Sequence, residues 1–215
     1  MTRDEKLWKL FTRIEIADIK KLFIALNTKS RTTVFRCLKR IGYFSSYSHA
    51  GRYYTLHSKP TFDNVGLWHV QGASFSKYGS LKETVIQVVN KSKAGMTYQE
   101  LESILLVRVH NTLRELVLSN LIGRTNSEKK YLYISGDNKN ASAQITIRQA
   151  KITDEQLSRP LNHFETIEVL VDLLHSEDWH LKSIVNRLKI RNIIVSEHQV
   201  NEVFSRYNIK KKSFI

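Results

Sequence analysis

The order of short helices and strands, more than any single motif, constrains what this chain can fold into. In the first quarter of the chain, apolar residues recur at helical spacing three times before two aromatic, β-favouring runs flank a glycine-containing turn. Ser30 precedes the third helix as an N-cap, and Gly42 ends it. The predicted elements are helices over 4–11, 17–24 and 31–41, with strands at 14–16, 43–47 and 52–56.

The same order of elements returns further along the chain. Ser80 with Glu83, and Thr97 with Glu100, have the spacing of a capping box before a helix. One extra strand is expected at 65–70, between the two copies. The copies share a pattern and few identical residues. The predicted elements of the second copy are helices over 81–91, 98–105 and 108–120, with strands at 121–124 and 131–134.

Helix, strand, helix, turn, helix and hairpin is the order of a winged helix-turn-helix. The expected fold is therefore mainly α with small β wings, with tandem winged helix domains over 1–58 and 59–135. A polar, turn-rich stretch and Pro160 predict a linker over 136–160. A helical, HTH-like domain is expected over 161–215. Its predicted elements are helices over 163–175, 181–188 and 197–207, followed by the basic tail 210–212.

The net positive charge of the chain indicates which class of molecule it binds. The chain has 34 Lys and Arg residues against 20 Asp and Glu, a net charge of +14, and residues 1–56 hold 12 of the basic and 4 of the acidic ones. An excess of this size favours a polyanionic partner, of which nucleic acid is the commonest. We therefore expect double-stranded DNA as the partner and the N-terminal quarter as the main anion-binding face.

Other features of the composition remove alternatives. The single cysteine, Cys37, excludes an internal disulfide and every zinc site that needs a pair of cysteines. Residues 1–10 lack the apolar run of a signal peptide, and nowhere do eighteen apolar residues run together. We therefore expect no membrane partner and a cytoplasmic, nucleoid-associated location.

Residues 30–43 carry the most informative motif. Their sequence, Ser-Arg-Thr-Thr-Val-Phe-Arg-Cys-Leu-Lys-Arg-Ile-Gly-Tyr, resembles the recognition helix of the DeoR-type bacterial winged helices, whose pattern is Ser-x-Arg-Thr-Ile-x-Arg-Asp-Leu-x-x-Leu. Cys37 stands where that pattern has aspartate, and Arg31 lies one place before its first arginine. The resemblance covers about one helix and its turn, and it implies a winged helix. The compatible positions are Ser30, Thr33, Val34, Arg36, Leu38 and Ile41.

The apolar spacing of this helix turns a basic face outward. In such motifs the helix enters the major groove, where Arg31 and Arg36 have the geometry to pair with guanine. Lys39 and Arg40, further along, suit the DNA backbone. The alternative is a basic face that only contacts solvent. The DNA-binding residues expected here are Lys29, Ser30, Arg31, Thr32, Thr33, Arg36, Lys39 and Arg40.

Two further sets of residues extend the expected interface. His49 and Arg52, at the tip of the first wing, are expected to touch a minor groove or a phosphate. The exposed face of the predicted 108–120 helix offers further side chains to base edges. Because Glu115 weakens the positive charge of this face, protein contact is the alternative for the second copy. Its candidate DNA-binding residues are Arg108, His110, Asn111 and Arg114.

The sequence predicts no enzyme. The glycines are scattered, and the nearest approach to a metal motif, His175 and His180, is better explained as a surface turn. Neither catalytic residues, nor a metal, nor a cofactor is expected. The expected function is sequence-specific duplex DNA binding by a prokaryotic transcription regulator. The alternatives are the DNA-recognition component of a mobile element or a replication initiator, and an adaptor that binds protein. The C-terminal domain is expected to support a homodimer or to meet a protein partner.

Overall fold

The computed structural model describes residues 1–127 and 130–209. This part of the chain is mainly helical with small antiparallel sheets, as the sequence predicts at that level. It divides into two compact units, Met1–Ile145 and Thr146–Ile215. The predicted basic tail, 210–212, lies outside the described residues.

The N-terminal unit begins with a first module of three helices and a three-stranded sheet. Its third helix has the predicted bounds, because Ser30 caps it by accepting a hydrogen bond from the Thr33 backbone N–H at 3.3 Å. The first strand lies later than the predicted 14–16, since Asp18 ends it and caps the second helix. The elements are α1 (Arg3–Arg13), β1 (Ala17–Asp18), α2 (Ile19–Leu26), α3 (Arg31–Ile41), β2 (Tyr43–Ser45) and β3 (Tyr53–Leu56).

One apolar core holds the first module together. It forms because each of the three helices is amphipathic and directs its apolar stripe inward. Full burial of one valine, leucine or phenylalanine side chain contributes about 1.5–3 kcal/mol to the free energy of unfolding. The core residues with at most 2% of their surface exposed are Leu7, Phe11, Ala17, Leu22, Leu26, Val34, Cys37, Leu38 and Leu56.

A central hairpin follows the first module where the sequence predicted one strand. It consists of β4 (Leu67–Val70) and β5 (Ala73–Ser76), joined by Gln71 and Gly72. Both turn residues have positive φ, 47° and 78°, which is the requirement of a type I′ hairpin turn. Phe75 of this hairpin is fully buried in a small core that also includes Ile16 of the first module.

The second module comes next and repeats the order of the first. Its third helix is shorter than the predicted 108–120, and the Ser80 side chain caps its first helix by accepting from the Glu83 backbone N–H. Thr97 and Glu100 form the predicted capping box in full. The elements are α4 (Leu81–Lys91), β6 (Met96–Thr97), α5 (Tyr98–Leu105), α6 (His110–Leu118), β7 (Ile122–Ser127) and β8 (Lys130–Ser135).

The two modules share one topology. Their sheets have the equivalent antiparallel orders β1-β3-β2 and β6-β8-β7. In each module the short first strand runs directly into a helix whose N-cap it supplies, Asp18 or Thr97. In each, that helix ends at a residue in the left-handed conformation, Asn27 or Leu106. The two modules therefore repeat each other in strand order and in the residues that cap equivalent helices.

The modules are fused rather than separated by the predicted boundary at 58/59. Tyr47, just after β2, is buried in the core of the second module, and its hydroxyl donates a 2.9 Å hydrogen bond to the Leu105 carbonyl. Ser48 Oγ accepts a 2.9 Å bond from the backbone N–H of Ser74 in the central hairpin. Both modules and the hairpin consequently lie in a single compact unit.

The segment 136–160, predicted as a linker, is instead mostly helix. α7 spans Asn138–Ser158, and its buried Gln144 forms three hydrogen bonds within the N-terminal unit. The Gln144 amide donates to the carbonyls of Val89 and Ser92, and its oxygen accepts from the Ser135 backbone N–H, all at 2.8 Å. The polar residues of this segment suggested a loop. Local composition does not show that Gln144 has hydrogen-bond partners as far as 55 positions away.

The C-terminal unit packs three short helices around its own core. They are α8 (His163–His175), α9 (Leu181–Ile190) and α10 (Glu197–Arg206), close to the predicted bounds. Asp172, only 4% exposed, accepts hydrogen bonds from Arg187 and Arg191 and so joins α8 to α9 and the turn after it. The core residues are Val169, Leu173, Ile184, Leu188, Val195, Val200, Val203 and Phe204.

Candidate nucleic-acid interface

Two helices contain predicted DNA-binding residues, α3 and α6, and the outer face of α3 is the more basic of the two. Its inner positions, Val34, Cys37 and Leu38, are buried, which fixes the rotation of the helix. The opposite face has no acidic residue, and Thr33 is the one predicted member that is half-buried. The exposed members of the predicted set are Lys29, Ser30, Arg31, Thr32, Arg36, Lys39 and Arg40.

Phe35 holds α3 against the strands that follow it. Its ring lies 5.5 Å from that of Tyr54, edge to face, and 6.3 Å from that of Tyr43. Aromatic pairs in such arrangements add to the stabilisation from burial. The basic face of α3 is thus presented on a helix that is held by packing along its inner and lateral sides.

Arg40 differs from the other basic residues of α3. Its guanidinium forms two hydrogen bonds to the carboxylate of Asp4 in α1, from Nε at 2.6 Å and from Nη2 at 2.5 Å. The hydrogen bond from Arg40 holds the pKa of Asp4 below its usual value. Arg40 therefore ties α1 to α3, and its charge is partly neutralised within the protein. Among the described residues, no ion pair to an acidic side chain is recorded for Lys29, Arg31, Arg36 or Lys39.

The tip of the predicted first wing lies against the second module. A short 3₁₀ turn, His49–Gly51, occupies the tip, and His49 and Arg52 are both exposed. His49 and Ala50 have φ near +53° and +54°, a conformation that costs non-glycine residues energy. Since Tyr47 is buried in the core of the second module, the turn that follows it is held against that module.

The predicted residues of the second module divide between a turn and a helix. Arg108 lies in the α5–α6 turn, before the N-cap residue Val109, rather than on the helix itself. His110, Asn111 and Arg114 lie on α6 and are exposed. The ring of His110 makes an edge contact with Tyr98 at 6.2 Å.

The charge on α6 is mixed, unlike that on α3. Glu115 forms a 2.5 Å ion pair with Lys82 of α4 on the same exposed side. Both side chains are more than half exposed, so solvent screens the pair. The exposed face of α6 is therefore less uniformly basic than that of α3.

The sequence interpretation missed two groups that could take part in an interface. His69 lies on β4 of the central hairpin and is exposed, beside a strand that was not predicted. Arg124 of β7 stacks over the ring of Tyr131 of β8 at 4.3 Å, on the β7–β8 hairpin. The dipeptide Gln71-Gly72 between two β-favouring runs was the signal for the missing strand.

The described residues contain neither a cluster suited to a metal ion nor a helix suited to span a membrane. No group of three or more His, Cys, Asp or Glu side chains in the ranges 1–127 and 130–209 is arranged to hold a metal ion. Over the same ranges, no helix combines the length and the apolar character needed to cross a membrane. Comparison of the chain with protein-family models, with curated proteins and with solved structures gives no match.

Proposed function

We propose that this protein binds duplex DNA with a preference for sequence, through two winged helices fused in tandem. The equivalent strand orders, caps and left-handed helix ends of the two modules support the winged-helix interpretation. In such a fold α3 and α6 are the recognition helices, and the hairpins β2–β3 and β7–β8 are the wings.

The observation that carries the proposal is the outer face of α3. Lys29, Arg31, Arg36 and Lys39 are exposed there with no acidic residue on the helix. Basic side chains held on a rigid helix suit the phosphates that flank a major groove, and arginine also suits the bidentate edge of guanine. Arg40, which is paired with Asp4, contributes less than the sequence suggested.

A transcription regulator is the role we favour, with action in the cytoplasm at the nucleoid. The alternative is the DNA-recognition component of a mobile element or of a replication origin, in which tandem winged helices also occur. The position of the bound site distinguishes the two roles: a promoter supports a regulator, and repeats at the ends of an element or at an origin support the alternative.

The proposal is tested by selecting duplex fragments from the source genome with the purified chain at two salt concentrations. We expect enrichment of a defined site and an affinity that falls steeply as salt rises, because counterions leave the phosphates on binding. An absence of enrichment together with salt-independent binding would contradict the proposal and favour a protein-binding adaptor.

Replacement of Arg36 by alanine tests the recognition role of α3. We expect a loss of about 1–3 kcal/mol in binding free energy, with relaxed preference at one base position, since bidentate base contacts carry sequence information. The matched control is Arg13→Ala, which removes the same charge from α1 of the same module. An equal loss on every DNA sequence would reduce Arg36 to a phosphate contact.

The second module has protein contact as its alternative role. Leu106, Leu118 and Leu121 are 62%, 74% and 50% exposed around α6, and Glu115 is paired with Lys82. Asn111→Ala and Arg114→Ala distinguish the two roles. A loss of DNA affinity supports recognition by α6, whereas unchanged affinity supports contact with protein.

A further inference from the structure

Three turns of the N-terminal unit enclose an open groove, here called the junction groove. It has a volume of about 460 Å³ and is lined by residues 48–49 after β2, 69–74 of the central hairpin and 106–108 between α5 and α6. The first module, the hairpin and the second module each supply one side. The lining contains no acidic residue.

Two histidines in the groove are oriented by buried serines. His49 Nδ1 lies 3.0 Å from Ser48 Oγ, and His69 Nδ1 lies 2.9 Å from Ser74 Oγ. Ser48 and Ser74 are only 5% and 3% exposed. The Ser74 backbone N–H donates to Ser48 Oγ at 2.9 Å, so the two serine–histidine pairs form one network. In each ring Nδ1 has a hydrogen-bond partner, and no described residue forms a hydrogen bond with Nε2.

The hydrogen bonds of Ser48 allow His49 to present a donor to the groove. Since Ser48 Oγ already accepts from Ser74, its own hydroxyl hydrogen is available to His49 Nδ1. An imidazole that accepts at Nδ1 carries its proton at Nε2, and a charged imidazole donates from both nitrogens. A ligand that accepts hydrogen bonds therefore fits this position.

Arg108 supplies a permanent positive charge to the same groove. It is exposed in the α5–α6 turn, and the structure pairs it with no acidic side chain among the described residues. Each of the three turns also contains a non-glycine residue with positive φ, namely His49 at 53°, Gln71 at 47° and Leu106 at 55°. Such backbone costs energy and persists where the surrounding structure fixes it.

We propose that the junction groove binds a phosphate group of the DNA backbone, with Arg108, His49 and His69 as the ligating side chains. The inference rests on the proposed DNA binding and adds a defined contact to it. Because the ligating residues come from both modules and the hairpin, one bound phosphate fixes the register of the two winged helices on one duplex.

The first test is a titration of the full chain with inorganic phosphate at constant ionic strength, followed by NMR of ¹⁵N-labelled histidine rings. We expect the Nε2 signals of His49 and His69 to shift together and saturate, and Arg108→Ala to abolish the shift. His198, exposed on α10 in the other unit, is the internal reference. Equal shifts at His198, or none at His49 and His69, would overturn the site.

The second test separates a DNA phosphate from a free one. We expect Arg108→Ala to lower the slope of log affinity against log salt by about one. We expect His49→Asn with His69→Gln, which replaces hydrogen-bonding groups and removes no permanent charge, to weaken binding to a similar extent on every DNA sequence. Asparagine is chosen at position 49 because it tolerates positive φ. Arg13→Ala provides the charge-matched control, and far-ultraviolet circular dichroism checks that the variants fold.

The outcomes distinguish this inference from the proposed function. If the unmodified chain does not bind duplex DNA, the proposed function fails and the groove proposal fails with it. If the chain binds DNA and the groove variants keep its affinity and salt slope, the groove proposal alone is overturned. A phosphate shift without any effect on DNA binding also overturns it, since the groove would then take only the free anion.

Discussion

Tyr47 joins the two modules through one side chain. Its ring is buried in the core of the second module, and its hydroxyl donates to the Leu105 carbonyl at 2.9 Å, at the C-terminal end of α5. The last carbonyls of a helix lack partners within the helix, so this bond also caps α5. Burial raises the pKa of Tyr47 to about 12, because the charged phenolate is disfavoured away from water.

Replacement of Tyr47 by phenylalanine tests this contact at neutral pH. We expect the free energy of unfolding to fall by about 1–3 kcal/mol, because the buried Leu105 carbonyl loses its partner. Urea denaturation of the variant and the unmodified chain measures the difference. A difference below a few tenths of a kcal/mol would mean that water replaces the hydroxyl at Leu105.

The same residue predicts a pH dependence at alkaline pH. The folded-state pKa of Tyr47, about 12, lies above the value of 10.0 for an ordinary tyrosine. Its contribution is therefore fully present below pH 10 and is lost as pH rises through about 12. We expect the stability gap between the unmodified chain and Tyr47→Phe to shrink over this range, measured by urea midpoints at successive pH values. A constant gap would contradict the burial of the phenol.

At the scale of elements, α7 belongs in part to the N-terminal unit. Gln144 binds the carbonyls of Val89 and Ser92 at the C-terminal end of α4, and the backbone N–H of Ser135, the last residue of β8, through three hydrogen bonds of 2.8 Å. An N-terminal fragment that stops at residue 135 would leave these buried groups without their partners. A fragment that includes the first turns of α7 would keep them.

We therefore expect the fragment 1–150 to unfold cooperatively at a higher temperature than the fragment 1–135. Within the full chain, Gln144→Ala should lower the stability of the N-terminal unit by about 1–3 kcal/mol, because buried carbonyls lose donors. Thermal unfolding of the two fragments measures the first effect, with Gln149→Ala, exposed on the same helix, as the control for the second. Equal melting temperatures for the two fragments would mean that residues 136–150 do not stabilise the N-terminal unit and act only as a linker.

At the scale of the whole molecule, the chain consists of two units with separate cores. The C-terminal unit depends on Asp172, which is buried and accepts from Arg187 Nη2 at 2.7 Å and from Arg191 Nη2 at 2.5 Å. The two arginines are 30% and 39% exposed, so water can solvate them in part when the carboxylate is removed. The expected cost is therefore below that of breaking a fully buried pair.

Asp172→Ala is expected to lower the stability of the C-terminal unit alone, by about 2 kcal/mol. Calorimetry should show two transitions, of which only the one assigned to residues 146–215 moves to lower temperature. Glu177→Ala, an exposed acidic residue of the same unit, provides the matched control. A single transition that shifts as a whole would show that the two units unfold together.

Much of the local structure could be predicted because its causes lie within about four residues. The Ser30 cap bonds to Thr33, and the Thr97 cap exchanges hydrogen bonds with Glu100, so the spacing of these residues already specifies where α3 and α5 begin. The periodic apolar positions of α3 likewise specify which side is buried and which residues form the exposed basic face.

The misses concern contacts between residues far apart in the chain. The contact of Arg40 with the DNA backbone stays a prediction, but its pairing with Asp4, 36 positions away, could not be predicted from the local pattern. The stretch around Gln144 reads as polar and loop-like, and its helix is held by Val89, 55 positions away. Hydrophobic periodicity contains no information about such partners, because each of these contacts depends on which helices and strands pack together in the folded chain.

The sequence by itself determined the helices other than α7, the caps of α3 and α5, the repeated order of elements and the basic face of α3, because local hydrogen bonds and amphipathic spacing act over one or two turns. Only the tertiary structure decided that the two modules form one unit, through Tyr47 and Leu105, and that three distant turns meet at the junction groove. Those features depend on burial and hydrogen bonds between distant segments, and such contacts are specified only when the chain has folded.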